Sequence, residues 1–245
     1  MTQSARDLES TFARAWALLM RNPVILVPGI VIGVLIVVIE LGFRLLAESP
    51  VVTIAGNGSA DAAAATESIT ALTQFLISLG LALSQMAYVT GMAGAAWKHG
   101  RTSLSDGFDA FANRFAPATG AAFLLLVMGL CAAVLAPVTF GVTLLIYALF
   151  FIYTMAAVVI GERPPVAGIV ESASTALANL LPTFAVVVLI AVIAAAGGWL
   201  GSLAGRVSDL AGWLVAGLLQ QVVVAYASLV IAGEYLKLTH AEVEL

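Results

Sequence analysis

Two ionisable residues of opposite charge, Glu40 and Arg44, stand four positions apart inside a long apolar run near the N-terminus. On a helix this spacing places both side chains on one face, in the favourable order of acid before base. Ionisable residues at membrane depth are costly and often functional. The carboxylate could bind a proton or a small solute. Equally, the two residues could form an internal ion pair whose arginine extends to the lipid headgroups, and this reading is preferred.

A proton or solute site would need further polar side chains, and two later apolar runs supply them. They are Gln74, Ser84, Gln85, Tyr88, Gln220, Gln221 and Tyr226. Together with the acid and base above, Gln85, Tyr88, Gln220 and Gln221 form the predicted intramembrane polar site. The amides would serve equally as hydrogen bonds between neighbouring helices, and this structural interpretation is preferred.

The composition indicates which elements must position these residues. Hydrophobic residues make up 62% of the 245 and charged residues 10%, against about 45–50% and about 25% in soluble domains. A water-facing surface cannot be built from so few charges, and disorder requires the opposite bias. Because the backbone in lipid must satisfy its own hydrogen bonds, long apolar runs predict helices. We therefore expect an all-α polytopic membrane protein.

Six apolar runs reach the roughly 20 residues that a helix needs to cross a bilayer. They are residues 23–46, 69–97, 116–136, 138–160, 181–204 and 209–236. Residues 47–67 contain no Lys or Arg and are predicted to form an exterior loop. The third and fourth spans meet at Ala136-Pro137, which predicts a tight hairpin. The six spans are thus expected to form three hairpins.

Each predicted hairpin is preceded by an amphipathic stretch, at residues 1–22, 103–115 and 165–180. Their apolar side chains recur at helical spacing. A proline marks the start of each following span, namely Pro23, Pro117 and Pro182. We interpret the chain as three copies of one unit, an interfacial amphipathic helix followed by a membrane hairpin. Since all three copies share one orientation, this is not an inverted repeat.

Eight of the ten Lys and Arg residues lie on one side of the predicted spans, and only Arg44 and Arg206 lie on the other. Because cytoplasmic loops carry the excess of positive charge, both termini and all three amphipathic helices are predicted to face the cytoplasm. Glu234 and Lys237 are expected to mark the inner headgroup level at the end of the sixth span.

Small residues at a spacing of four allow helices to approach closely. The pair Gly29 and Gly33 and the run Gly197, Gly201 and Gly205 predict such packing faces. The partner could be another span of the same chain, which is preferred, or a second copy. The oligomeric state therefore stays open.

The sequence contains none of the common catalytic motifs, such as a phosphate-binding glycine loop, His-Glu-x-x-His or Gly-x-Ser-x-Gly. Its one cysteine, Cys131, cannot form an internal disulfide. His99 and His240 have no partners at metal-ligand spacing. The net charge of −4 is unlike that of nucleic-acid-binding proteins. We expect a non-enzymatic protein with no cofactor, metal or nucleic-acid partner.

The segment that begins at Gly161 and reads GERPPVAGIVES carries a family resemblance in Glu162, Pro165, Ala167 and Ser172. Together with the six-span layout, it resembles the membrane domain attached to some glycerophosphodiester phosphodiesterases and related stand-alone bacterial inner-membrane proteins. The soluble phosphodiesterase domain has no counterpart here. The resemblance therefore implies a bacterial membrane module without catalytic residues.

Two functional hypotheses follow. The preferred one is a non-enzymatic module that organises membrane lipid, or a membrane or cytoplasmic protein partner, at the inner membrane face. It follows from the three amphipathic helices and the scarcity of charge within the spans. The alternative is a small transporter or permease for a proton, ion or small solute, in which Glu40 is the binding carboxylate.

Overall fold

The computed structural model describes residues 3–47 and 60–239, and every regular element in these ranges is helical. Helix α1 leads through a short 3-10 turn at Pro23–Leu26 into α2. The helices are α1 (Gln3–Arg21), α2 (Val27–Ala47), α3 (Ala60–His99), α4 (Leu104–Leu135), α5 (Val142–Phe151), α6 (Thr154–Val159), α7 (Pro165–Ala178), α8 (Leu180–Gly205) and α9 (Asp209–Thr239). The predicted fold class is thus confirmed as all-helical over the described ranges.

Five of the described helical segments are long and apolar enough to cross a membrane. They are Pro23–Phe43, Leu104–Leu135, Val142–Val159, Leu180–Gly205 and Val215–Thr239. The chain is therefore a multi-pass helical membrane protein. Helix α3 contains the predicted second span, residues 69–97, but is not among these five. The sixth span stays a prediction.

The predicted exterior loop at 47–67 is wrong at its C-terminal end. Helix α2 continues through Ala47, and α3 begins at Ala60. Residues 48–59 lie outside the described part of the chain. The reason is the alanine-rich sequence at 60–65, because alanine has the highest intrinsic helix propensity of all residues. The absence of Lys and Arg, on which the loop prediction rests, does not oppose a helix.

One continuous helix, α4, covers both the second amphipathic stretch (103–115) and the third predicted span (116–136), so the predicted division between them is wrong. Pro117 lies inside α4 without ending it, since a membrane helix tolerates the loss of one backbone donor. The N-terminus of α4 is stabilised by a local motif. Ser103 Oγ accepts the Asp106 N–H at 3.4 Å, and the Asp106 carboxylate accepts the Ser103 N–H at 2.7 Å. This reciprocal pair is a capping box.

The fourth predicted span, 138–160, is not one helix. After a turn at residues 136–141, α5 ends at Phe151, and two residues in turn conformation separate it from α6. Residues 165–180, predicted as the third amphipathic helix, are not one helix: α7 ends at Ala178, and Asn179 separates it from α8. The amphipathic role of α7 stays a prediction.

The largest buried core lies in one half of the bundle, where α1 packs across α3 and α9. It contains Ala15, Leu18, Leu19, Ile25, Val89, Met92, Ala93, Ala96, Trp97, Val186, Ala225, Leu229, Val230 and Ala232. Small residues allow the close approach of α4 to α3, where Gly91 faces Ala110. By contrast, only 12% of the first span is buried within the protein. Most of α2 therefore presents apolar side chains to the surrounding lipid.

Candidate functional site

Polar and charged side chains pair with one another at one end of the bundle, which we call the polar end. Five elements meet there: α1, the C-terminal ends of α3 and α9, and the N-terminal ends of α4 and α7. Its members are Thr11, Arg14, Asn22, Trp97, Thr102, Arg114, Glu162, Arg163, Glu171, Glu234 and Tyr235. The contacts below show how residues far apart in the sequence are brought together here.

Glu234 is a buried carboxylate that joins the last helix to the first. Its side chain is 1% exposed, and Oε2 accepts a hydrogen bond of 3.0 Å from the hydroxyl of Thr11. Lys237 Nζ lies 3.9 Å from the same oxygen. A buried charge requires such partners, because removing it from water costs several kcal/mol. The protein therefore encloses the side chain of Glu234, and its position at the headgroup level stays a prediction.

Trp97, at the end of α3, contacts both α1 and α9. Its indole Nε1 donates a 2.7 Å hydrogen bond to the carbonyl of Leu229. The guanidinium of Arg14 lies 4.7 Å from the ring centroid, within the range of a cation–π interaction. A Cβ atom on Gly233 would overlap the ring. The glycine is therefore the residue that lets the indole lie flat against α9.

A chain of polar contacts joins α9 to α7 and to the loop before it. The hydroxyl of Tyr235 donates to Glu171 Oε1 at 2.6 Å, and Arg163 Nε donates to the other oxygen at 2.5 Å. In the same loop, Glu162 accepts a charge-assisted hydrogen bond from Arg114 of α4. These contacts fix the loop between α6 and α7 against the start of α4.

The break between α5 and α6 is stabilised by a side chain from another helix. Ser172 Oγ of α7 donates to the carbonyl of Phe150 at 2.8 Å and accepts the N–H of Tyr153 at 3.1 Å. The hydroxyl of Tyr153 lies 3.3 Å from that of Thr183 on α8. Non-helical backbone in a membrane protein is tolerated where the protein itself satisfies it. Ser172 does so here.

The predicted intramembrane polar site is assembled only in part. Gln85 Nε2 of α3 donates to Gln221 Oε1 of α9 at 2.6 Å, an interhelical hydrogen bond. Tyr88 instead donates its hydroxyl to the carbonyl of Leu104, and Gln220 is exposed. The backbones of Glu40 and Arg44 lie in α2, but their side chains lie outside the described part of the structure.

The predicted glycine faces differ in what they contact. A Cβ atom on Gly29 would overlap the amide of Gln221, so this glycine admits the amide pair. Gly33 faces open space. On α8, Gly197 lies near Leu219 and Val223, Gly201 faces Ala216, and Gly205 faces Gly212, all on α9. Four of the five glycines thus pack against another helix of the same chain.

Sequence reasoning missed most of the polar end because its partners come from distant segments. Glu171 and Tyr235 are 64 positions apart, and Thr11 and Glu234 are 223 apart. No spacing rule connects residues at such separations. The one usable signal was the polar side of the amphipathic stretches, to which Glu171 belongs.

The chemistry available to this arrangement is electrostatic. Within the described ranges, no group of three or more His, Cys, Asp or Glu side chains is placed to hold a metal ion. Glu162, Glu171 and Glu234 of the polar end accept hydrogen bonds from the chain itself, and Lys98 and Arg101 are exposed cations at the same end. No protein-family model, curated protein or solved structure matches the chain. The resemblance to the phosphodiesterase-associated membrane domain stays a prediction.

Proposed function

We propose that this chain is a non-enzymatic multi-pass protein of the bacterial inner membrane, with both termini cytoplasmic, that organises acidic lipid around its polar end. The positive-inside distribution of Lys and Arg supports this orientation. This is the preferred hypothesis from the sequence, with membrane lipid as the partner. Two features of the polar end support lipid as that partner.

The observation that carries the proposal is an exposed apolar face on the two separate amphipathic helices. On α1, Trp16 and Met20 are 50% and 57% exposed. On α7, Val166, Val170 and Leu177 are 57–65% exposed. A helix that presents apolar side chains is suited to the boundary between headgroups and acyl chains, and α1 also carries the exposed Arg14 and Arg21. Trp16 also contacts Tyr226 of α9, edge to face, which holds its ring against the bundle.

The charges of the polar end favour anionic lipid over a catalytic role. Glu171, Glu162 and Glu234 each accept hydrogen bonds from side chains of the same chain. By contrast, Lys98 and Arg101 are exposed at the same end. Each basic residue near an anionic membrane surface contributes about 1 kcal/mol of attraction. The alternative of a transporter rests on Glu40, whose side chain is not described, so no contact supports it.

The proposal is tested by extracting the protein from its membrane in polymer-bounded lipid discs and measuring the lipids that accompany it. We expect the wild type to be enriched in anionic lipid relative to the bulk membrane. The double variant Val170→Asp/Leu177→Asp should return the lipid to the bulk composition, because it places negative charge on the apolar face. The matched control is Val170→Ala/Leu177→Ala, which should retain the enrichment.

Both positions are exposed, so these variants should unfold at the same temperature as the wild type. Bulk lipid composition around the wild type would overturn the proposal. A stoichiometric protein in the discs, together with bulk lipid, would instead assign the polar end to a protein partner.

A further inference from the structure

A polar pocket lies where the end of α1 meets the loop between α3 and α4. Its volume is about 560 Å³, and its lining is Arg21, Asn22, Gly100, Arg101 and Thr102. Two of these five residues are arginines, which come from segments 80 positions apart. The fold therefore brings two positively charged residues, Arg21 and Arg101, to the lining of one pocket.

The pocket is held in shape by one buried side chain, Asn22, which is 4% exposed. Its Nδ2 donates to the carbonyl of Leu18 at 2.9 Å and to that of Gly100 at 3.4 Å. Its Oδ1 accepts the N–H of Thr102 at 3.0 Å. Gly100 has a φ of 73°, a left-handed conformation that favours glycine. The end of α1 and the loop are thus fixed to each other.

The two guanidiniums of this pocket are not neutralised by the part of the chain that the structure describes. Among those residues, neither Arg21 nor Arg101 has a hydrogen-bond or ion-pair partner. Asp106, the acid in the first turn of α4, accepts hydrogen bonds from Ser103 and Thr102 instead. Like charges that line one pocket repel each other, and a bound anion removes that repulsion.

We infer that this pocket binds the phosphate group of an acidic phospholipid. Arginine matches phosphate through paired, charge-assisted hydrogen bonds. The first membrane span begins at Pro23, two residues after Arg21, so the pocket lies at the membrane surface. Lipid phosphates are the anions concentrated at that depth. The inference rests on the proposed function and gives it a defined binding site.

The test is a titration of the full-length protein, purified in a non-ionic detergent, with phosphatidylglycerol, followed by native mass spectrometry. We expect Arg101→Gln to weaken lipid binding about tenfold, the size expected for one charge-assisted hydrogen bond to a charged partner. Arg206→Gln removes the same charge from an exposed residue that follows α8 and lies outside the pocket, and should change binding less than twofold. Asn22→Ala keeps the net charge but frees the loop, and should weaken binding as Arg101→Gln does.

Equal effects of Arg101→Gln and Arg206→Gln would overturn the inference, since binding would then reflect general charge. Glycerol 3-phosphate that displaces the lipid at equal concentration would also overturn it and assign the pocket to a soluble phosphate ester. Arg101→Lys, which keeps the charge and the fold, should show an intermediate loss. If wild-type discs stay enriched in anionic lipid while the pocket variants bind normally, only the pocket assignment fails. If the enrichment itself is absent, the proposed function fails.

Discussion

The phenolic oxygen of Tyr235, near the end of the last helix, lies 2.6 Å from Oε1 of Glu171 on α7. Tyr235 is 1% exposed, although it lies close to the end of the described chain. Arg163 binds the second oxygen of the same carboxylate. This contact fixes α7, whose apolar face is exposed, in a defined position on the membrane-spanning bundle. The exposed apolar face of α7 therefore keeps a constant orientation relative to the bundle.

Replacement of Tyr235 by phenylalanine should destabilise the protein. It removes one hydrogen bond to a charged acceptor, which contributes about 1.5–3 kcal/mol. For a chain of this length, that corresponds to a fall of roughly 3–12 °C in the unfolding temperature. The matched control is Tyr226→Phe, because the Tyr226 hydroxyl makes a long 3.4 Å hydrogen bond to a backbone carbonyl. Thermal unfolding in detergent measures both, and equal shifts would contradict the role given to the Glu171 contact.

Gly233→Ala should be strongly destabilising, because the added methyl group would overlap the ring of Trp97. The ring cannot easily move away, since its nitrogen is hydrogen-bonded to Leu229. Overpacking of this kind typically costs about 1–3 kcal/mol. Gly198→Ala adds the same methyl group to a helix surface with nothing within 4 Å, and should leave the unfolding temperature unchanged or raise it slightly. If the two alanine variants unfolded at the same temperature, close packing at Gly233 would be disproved.

Thr11→Val should loosen α1 from the bundle. It removes the hydroxyl that donates to the buried Glu234 carboxylate while it keeps the shape of the side chain. Arg14 and Arg21, which lie on the exposed side of α1, then report on its release through limited trypsin digestion. About 1.4 kcal/mol of lost stabilisation corresponds to roughly tenfold faster cleavage where local opening governs the rate. Thr11→Ser keeps the hydroxyl and should be cleaved at the wild-type rate. If trypsin cleaved Thr11→Val and the wild type at equal rates, the hydrogen bond from Thr11 to Glu234 would not be what holds α1 on the bundle.

The elements that the sequence predicted correctly are those whose signal is local. Long apolar runs predicted the spans now seen in α4 and α8, because a helix in lipid is determined by the composition of its own segment. The capping box at Ser103 and Asp106 is equally local, because both of its hydrogen bonds lie within four residues.

The features that sequence reasoning missed depend on contacts between distant segments. Pro117 was expected to mark the start of the third span. A proline in a membrane helix removes only one backbone hydrogen-bond donor, so α4 continues through it. The predicted polar site combined Gln85, Tyr88, Gln220 and Gln221, all of which occur on suitable helices. Of these four, only Gln85 and Gln221 meet, because the rotation of each helix about its axis is set by packing that no single segment specifies. Glu40 and Arg44, the other two members, have side chains outside the described part of the structure.

The break at Ile152 and Tyr153 has no local cause, since neither proline nor glycine occurs between Val142 and Ile160. Its stabilising residue is Ser172, which bonds Phe150 and Tyr153. Ser172→Ala should therefore leave the buried N–H of Tyr153 and the part-buried carbonyl of Phe150 without this partner, at a cost of about 1–3 kcal/mol for each group left unsatisfied. The direct measurement is hydrogen exchange of peptides that cover residues 150–158, where the Tyr153 amide should exchange faster.

The matched control for this variant is Ser174→Ala, on the same helix. The Ser174 hydroxyl is exposed and bonds only the carbonyl of Glu171 within its own helix. It should leave exchange at the break unchanged. If Ser172→Ala also left that exchange unchanged, the break would be stabilised by the packing of α5 and α6 alone. Faster exchange in the first variant only would show that α7, besides presenting its apolar face, holds a membrane helix in its broken form.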